Sequence, residues 1–138
     1  MLRVVVDPGV VVSALLSPAG TPAQLIVAWL RGLYELIVSP RLLTELETVL
    51  VRPKLRTRID KQTATALVSL LRDHAIVMLD PPAEPGLTPD PGDDYLITLA
   101  RASRADIVVS GDTHLTRLKT MTPPVVTPKV CLQMLETR

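Results

Sequence analysis

Phenylalanine is absent from this 138-residue chain, and only Trp29, Tyr34 and Tyr95 supply aromatic rings. The core must therefore be built from Val, Leu, Ile and Ala, and the chain lacks the stacking platforms with which RRM-like or OB-like domains hold bases. Cysteine is almost missing as well. Cys131 stands alone, which excludes an intramolecular disulfide and a cysteine-based zinc site and suits a reducing cytoplasm. There is no excess of one charge: the formal net charge is +1, so global charge announces no nucleic-acid partner. No GxxxxGK[ST] phosphate loop is present. Charge is also missing from Pro8 to Leu30, but Pro8, Gly9, Pro18, Gly20 and Pro22 interrupt that apolar run and Asp7 precedes it. It reads as a buried strand end, a loop and a helix, not as a membrane span or targeting segment.

What is there alternates regularly. Short β-branched runs at Leu2–Val6, Tyr34–Val38, Ala75–Leu79, Asp106–Ser110 and Val125–Thr127 predict strands. Most are continuously apolar, as strands covered on both faces are. Helical patterns lie between them, near residues 21–31, 40–51, 60–72, 93–103, 112–119 and 129–136. The order predicts one α/β domain over residues 1–138, a three-layer α/β/α sandwich with a central, mostly parallel sheet. Functional groups in such folds sit at the carboxyl edge of the sheet. Asp7 closes the first strand, Asp112 follows the fourth, and Asp93 and Asp94 open a helix after a Pro-rich loop, so three separated segments deliver carboxylates to one edge.

Each of these acids has a local explanation, because Asp near a helix N-terminus binds free backbone N–H groups and favours the dipole. Their convergence is what points to chemistry. Like charges ~5 Å apart cost on the order of 3 kcal/mol per pair at an effective dielectric near 20. A cation offsets that repulsion, and oxygen-only ligands select Mg²⁺ or Mn²⁺ over zinc. On the helix from 40 to 51, Leu42, Leu43, Leu46, Val49 and Leu50 form the apolar face. Glu45 and Glu47 flank that face at opposite edges, and periodicity does not choose between them. Arg52, Lys54, Arg56, Arg58 and Lys61, opposed only by Asp60, form either a solvated loop or a phosphate-guiding rim for RNA. His74 and His114 have no partner at ligand spacing and read as structural or surface groups, and Trp29 as core or dimer interface.

The pieces VVVDPGVVVSALLSP, VSPRLLTELETVLVRPKL, DPGDDYLITLARASRADIVVSGDTHLTRL and VVTPKVCLQML, in this order, resemble the PIN-domain family, most closely its VapC-like toxins of prokaryotic toxin–antitoxin systems. The resemblance implies an Mg²⁺- or Mn²⁺-dependent ribonuclease in the cytoplasm, a cognate antitoxin protein as partner, and a homodimer. It makes Asp7, Glu45, Asp93 and Asp112 the catalytic and metal-binding set, with Asp94 as an alternative metal ligand to Asp93 and Glu47 left on the surface. One departure stands out. The family opens its site with Asp-Thr-Asn, where this chain has Asp7-Pro8-Gly9. The orienting amide is missing at Gly9 and Pro8 removes a backbone donor, while Ser13 is placed to support Asp7 one helical turn away. Two alternatives follow: a nuclease-inactive PIN domain that binds RNA or protein, and a phosphoacceptor receiver domain. The second lacks its acidic pair beside the first strand and offers only Asp80, in a Pro loop, as acceptor.

Overall fold

The computed structural model describes residues 1–137. Five strands run parallel: β1 (Arg3–Val6), β2 (Glu35–Val38), β3 (Ile76–Val77), β4 (Ile107–Val109) and β5 (Val125–Val126), in the spatial order β3-β2-β1-β4-β5. The helices are α1 (Pro8–Leu16), α2 (Thr21–Leu30), α3 (Pro40–Leu50), α4 (Pro53–Arg56), α5 (Lys61–His74), α6 (Asp94–Ala102), α7 (Thr113–Thr116) and α8 (Pro128–Glu136). From β1 the chain steps outward through β2 to β3, then returns across the sheet to β4. Right-handed crossovers therefore put α1 to α5 on one face and α6 on the other. The packing agrees: α1 contacts α2 and α3, α2 contacts α8, α3 contacts α5, and α6 lies on β1 and β4. The expected α/β/α sandwich is the observed one, and its sheet is wholly parallel.

β1, β2 and β4 bury nearly every residue because layers cover both faces, which is why their sequences are unbroken apolar runs. The predicted third strand is the exception. Only Ile76 and Val77 pair, against Ile37 and Val38, and both are exposed at the sheet edge. Trp29 is core, with 8% exposure.

The segment expected as a strand end and loop after Asp7 is instead α1. Asp7 is its N-cap and Pro8 its first residue, where a missing N–H removes nothing because the helix has no acceptor for it there. The Val10–Val12 run packs inward from that helix. A second short helix, α4, interrupts the basic segment expected as a loop. No single helix among the described residues is long and apolar enough to cross a membrane, and α1 and α2 meet at a bend of 104°.

Candidate active site

β1 and β4 are neighbours, and from them the chain winds in opposite directions. This is the switch point at which open parallel sheets form a crevice beyond their carboxyl ends. Asp7 leaves β1 there and Asp112 leaves β4. Ser110, fully buried, links them. Its hydroxyl donates to Asp7 Oδ2 at 2.9 Å and accepts the Asp112 N–H at 3.0 Å. Asp7 Oδ1 accepts the Gly9 N–H at 3.0 Å, and Asp112 Oδ1 caps α7 by accepting the His114 N–H at 2.8 Å. The hydroxyl holding Asp7 is thus that of Ser110 and not Ser13, whose residue is exposed on α1. A carboxylate oxygen has two lone pairs, so these bonds orient both acids and leave acceptor capacity for a ligand.

Asp93 enters from a short 3₁₀ turn, Pro91–Asp93, capped by Asp90, whose Oδ1 accepts the Gly92 N–H at 2.9 Å. Its carboxyl is pushed up to about 6, first by partial burial and then by the charges of Asp7, Asp90, Asp112 and Glu45. One group thus feels every other predicted acid except its own neighbour. Asp94 points elsewhere. Its Oδ1 accepts from the Thr88 N–H at 2.8 Å and the Thr88 hydroxyl at 2.7 Å, and its Oδ2 accepts the Gly86 N–H at 3.1 Å. Hydrogen bonds from Thr88 lead in holding its carboxyl below the usual range. Asp94 is buried and ties the loop before α6 to that helix, with its oxygens turned to Thr88 and Gly86.

The two glutamates of α3 separate in the same way. Glu47 forms an ion pair with Arg72 of α5 at 2.6 Å, both side chains half exposed. Glu45 Oε2 accepts a hydrogen bond from the hydroxyl of Tyr95, one residue beyond the Asp93–Asp94 pair. Tyr95 is buried, and its hydroxyl is held protonated by that burial, by the bond to Glu45 and by the charges of Glu45 and Asp7, against the opposing charge of Arg41. The Arg41 guanidinium lies over the Tyr95 ring, 4.5 Å from its centre. The start of α3 is itself fixed: Ser39 Oγ accepts the Leu42 N–H at 3.2 Å, and Asp80, from beyond β3, accepts the Arg41 N–H at 2.9 Å.

Ser110, Tyr95 and Arg41 were not singled out from sequence as site residues. A polar residue closing an apolar strand was the signal for Ser110. Tyr95 offered only its place beside the acidic pair. The cations Arg52, Lys54, Arg56 and Arg58 lie on the exposed turn between α3 and α5. Arg52 is seven residues past Glu45, about 10 Å along a helix axis.

The donors that gather are all carboxylate oxygens, the set that suits a hard divalent cation such as Mg²⁺ or Mn²⁺. Among the described residues no three acidic, His or Cys side chains already meet as a ready-made cluster. Residues 3–114 match the family model PIN_3, described as a PIN domain. The chain belongs to the PIN domain family. This PIN domain is 26% identical over 118 residues to the uncharacterized protein MJ1680 of Methanocaldococcus jannaschii, covering 86% of this chain and 76% of that protein. Among solved structures it is similar in fold to PAE2754 from Pyrobaculum aerophilum, with a TM-score of 0.65, 16% identity, and 99% of this chain and 91% of that one covered. It is also similar in fold to VapBC2 from Rickettsia felis, a structure bound to a DNA fragment from its promoter, with a TM-score of 0.59, 10% identity, and coverage of 91% and 97%.

Proposed function

We propose that this PIN domain is an Mg²⁺- or Mn²⁺-dependent endoribonuclease, the VapC-like toxin of a toxin–antitoxin pair. The observation that carries the reading is the buried Ser110 hydroxyl joining Asp7 at the end of β1 to Asp112 beyond β4, with the carboxyl of Asp93 raised by the charges of both and of Glu45. A fold gains nothing in stability from that repulsion, so the acids serve a ligand. Asp7, Asp93 and Asp112, with Glu45, would hold the ion, and it would supply a lowered water pKa and a polarised phosphoryl oxygen. Ser110 and Gly9 hold Asp7 in one orientation, and Tyr95 does so for Glu45. Attack by water in line with the leaving oxygen leaves 3′-hydroxyl and 5′-phosphate ends. Single-stranded RNA incubated with the protein, with and without EDTA, tests this: cleavage that survives chelation overturns the metal mechanism, and binding without cleavage under either metal favours the inactive-module alternative.

The partner assignment rests on the VapBC-like fold and on exposed apolar surface. Val27, Leu30 and Leu33 are about half exposed around the end of α2, and Leu79, just beyond the edge strand, is 82% exposed. Surface of this kind suits an antitoxin segment or a second subunit. Light scattering of the protein alone and after co-expression with its antitoxin separates the two.

A further inference from the structure

Arg41 reaches the group that holds Glu45, since its guanidinium lies 4.5 Å from the centre of the Tyr95 ring, and its placement is unusual. It sits in the first turn of α3, where the helix dipole disfavours positive charge. Among the described residues it forms no ion pair, whereas Arg3, Arg72 and Arg101 each have a carboxylate partner. Its side chain is nonetheless fixed, because the guanidinium rests on the face of Tyr95. The same tyrosine holds Glu45 with its hydroxyl. One buried ring therefore touches both an acid and a cation.

We propose that Arg41 is a phosphate ligand for the RNA backbone, and that Tyr95 is the positioning residue that aligns it with Glu45. This rests on the ribonuclease reading and adds to it the group that meets the anionic chain. A strand lying over four carboxylates needs a cation close by, and the Arg52–Arg58 turn is farther along α3. A guanidinium suits this role because it stays charged, presents parallel N–H donors to phosphate oxygens, and stacks on an aromatic face without losing those donors. The ring makes the guanidinium's position a fixed feature of the site, so less order is lost when RNA binds.

The test is the binding of a short fluorescein-labelled single-stranded oligoribonucleotide, followed by anisotropy in EDTA so that nothing is cut. Arg41→Gln is expected to weaken binding several-fold and to lower the slope of log affinity against log salt by about 0.7, the share of one phosphate contact on a single strand. Arg31→Gln, an equal charge loss at the opposite edge of the sheet, should change the slope far less. Tyr95→Phe keeps the ring and removes the hydroxyl, so RNA affinity should hold while Mn²⁺ affinity by titration calorimetry falls. Wild-type binding with an unchanged slope in Arg41→Gln, or RNA affinity lost in Tyr95→Phe, overturns this inference and leaves the ribonuclease reading standing. Failure of the wild type both to bind RNA in EDTA and to cut it with Mn²⁺ overturns both.

Discussion

Ser110 and Asp7 are 103 positions apart in sequence, yet the hydroxyl of one donates to the carboxylate of the other at 2.9 Å across the gap between β4 and β1. Because Ser110 also accepts the Asp112 N–H, a single buried oxygen sets the spacing of two candidate ligands. Ser110→Ala removes one partner each from the half-buried Asp7 carboxylate and the Asp112 N–H, a loss of about 1 kcal/mol. A lower urea midpoint and weaker Mn²⁺ binding are expected together. A variant as stable as wild type with unchanged Mn²⁺ affinity would remove Ser110 from the site.

Adjacent aspartates should respond in opposite directions. Asp93→Asn relieves repulsion, so it should raise the melting temperature of the metal-free protein and abolish Mn²⁺ binding, a common exchange of function for stability. Asp94→Asn turns amide hydrogens toward the N–H donors of Gly86 and Thr88 and should destabilise by about 1–3 kcal/mol while keeping Mn²⁺ affinity. Calorimetric titration and urea melts on both variants decide the matter, and the reverse pattern would exchange the two assignments.

The raised carboxyl of Asp93 has a definite sign in pH. Its value of about 6 lies above the ordinary 3.8, so between those values the folded state holds more protons than the unfolded state. That contribution is fully present below pH 3.8 and is lost as pH rises through about 6. Without metal, this group makes the protein less stable at pH 7 than at pH 5. With saturating Mn²⁺ the order should reverse, because binding requires the ionised form. Thermal melts at both pH values, with and without Mn²⁺, check it. A stabilisation by Mn²⁺ that is equal at pH 5 and pH 7 would show that Asp93 is not a ligand.

Gly9 can be replaced without strain. It lies in the first turn of α1, its φ is not among the positive values found at Gly32 and Gly86, and a Cβ there would meet only Asp7 Oδ1 at 3.6 Å. Gly9→Asn should fold, gain about 0.4–1 kcal/mol by restricting the unfolded chain, and keep its metal affinity. The Gly9 N–H and the Ser110 hydroxyl already orient Asp7, so the missing Asn amide is largely replaced. Turnover should then rise by well under 10-fold, less than one strong new hydrogen bond would give. A 10-fold gain in single-turnover rate would mean that Asp7 is poorly held.

Composition and pattern were enough for the class of fold and for the edge of the sheet that matters. Unbroken Val and Ile runs can be buried only between two layers, and a carboxylate at the end of such a run has one place to emerge. Local signals misled where two elements share a residue. Val10–Val12 looks extended by propensity, but an Asp cap followed by Pro starts a helix and its packing holds it. Ile76 and Val77 look buried, but they lie on an edge strand. The choice between Glu45 and Glu47 could not be made from periodicity, since both flank the same apolar face. α5 supplied Arg72 on one side and α6 supplied Tyr95 on the other. Asp93 and Asp94 differ by one position of chain, and only the turn that precedes α6 aims one at the crevice and the other at its own loop. The sequence by itself determined which acids follow the ends of strands, because apolar runs and the residues that close them are local. Which of them face one another was decided by tertiary packing, because a side chain's direction depends on partners that the chain brings from far away.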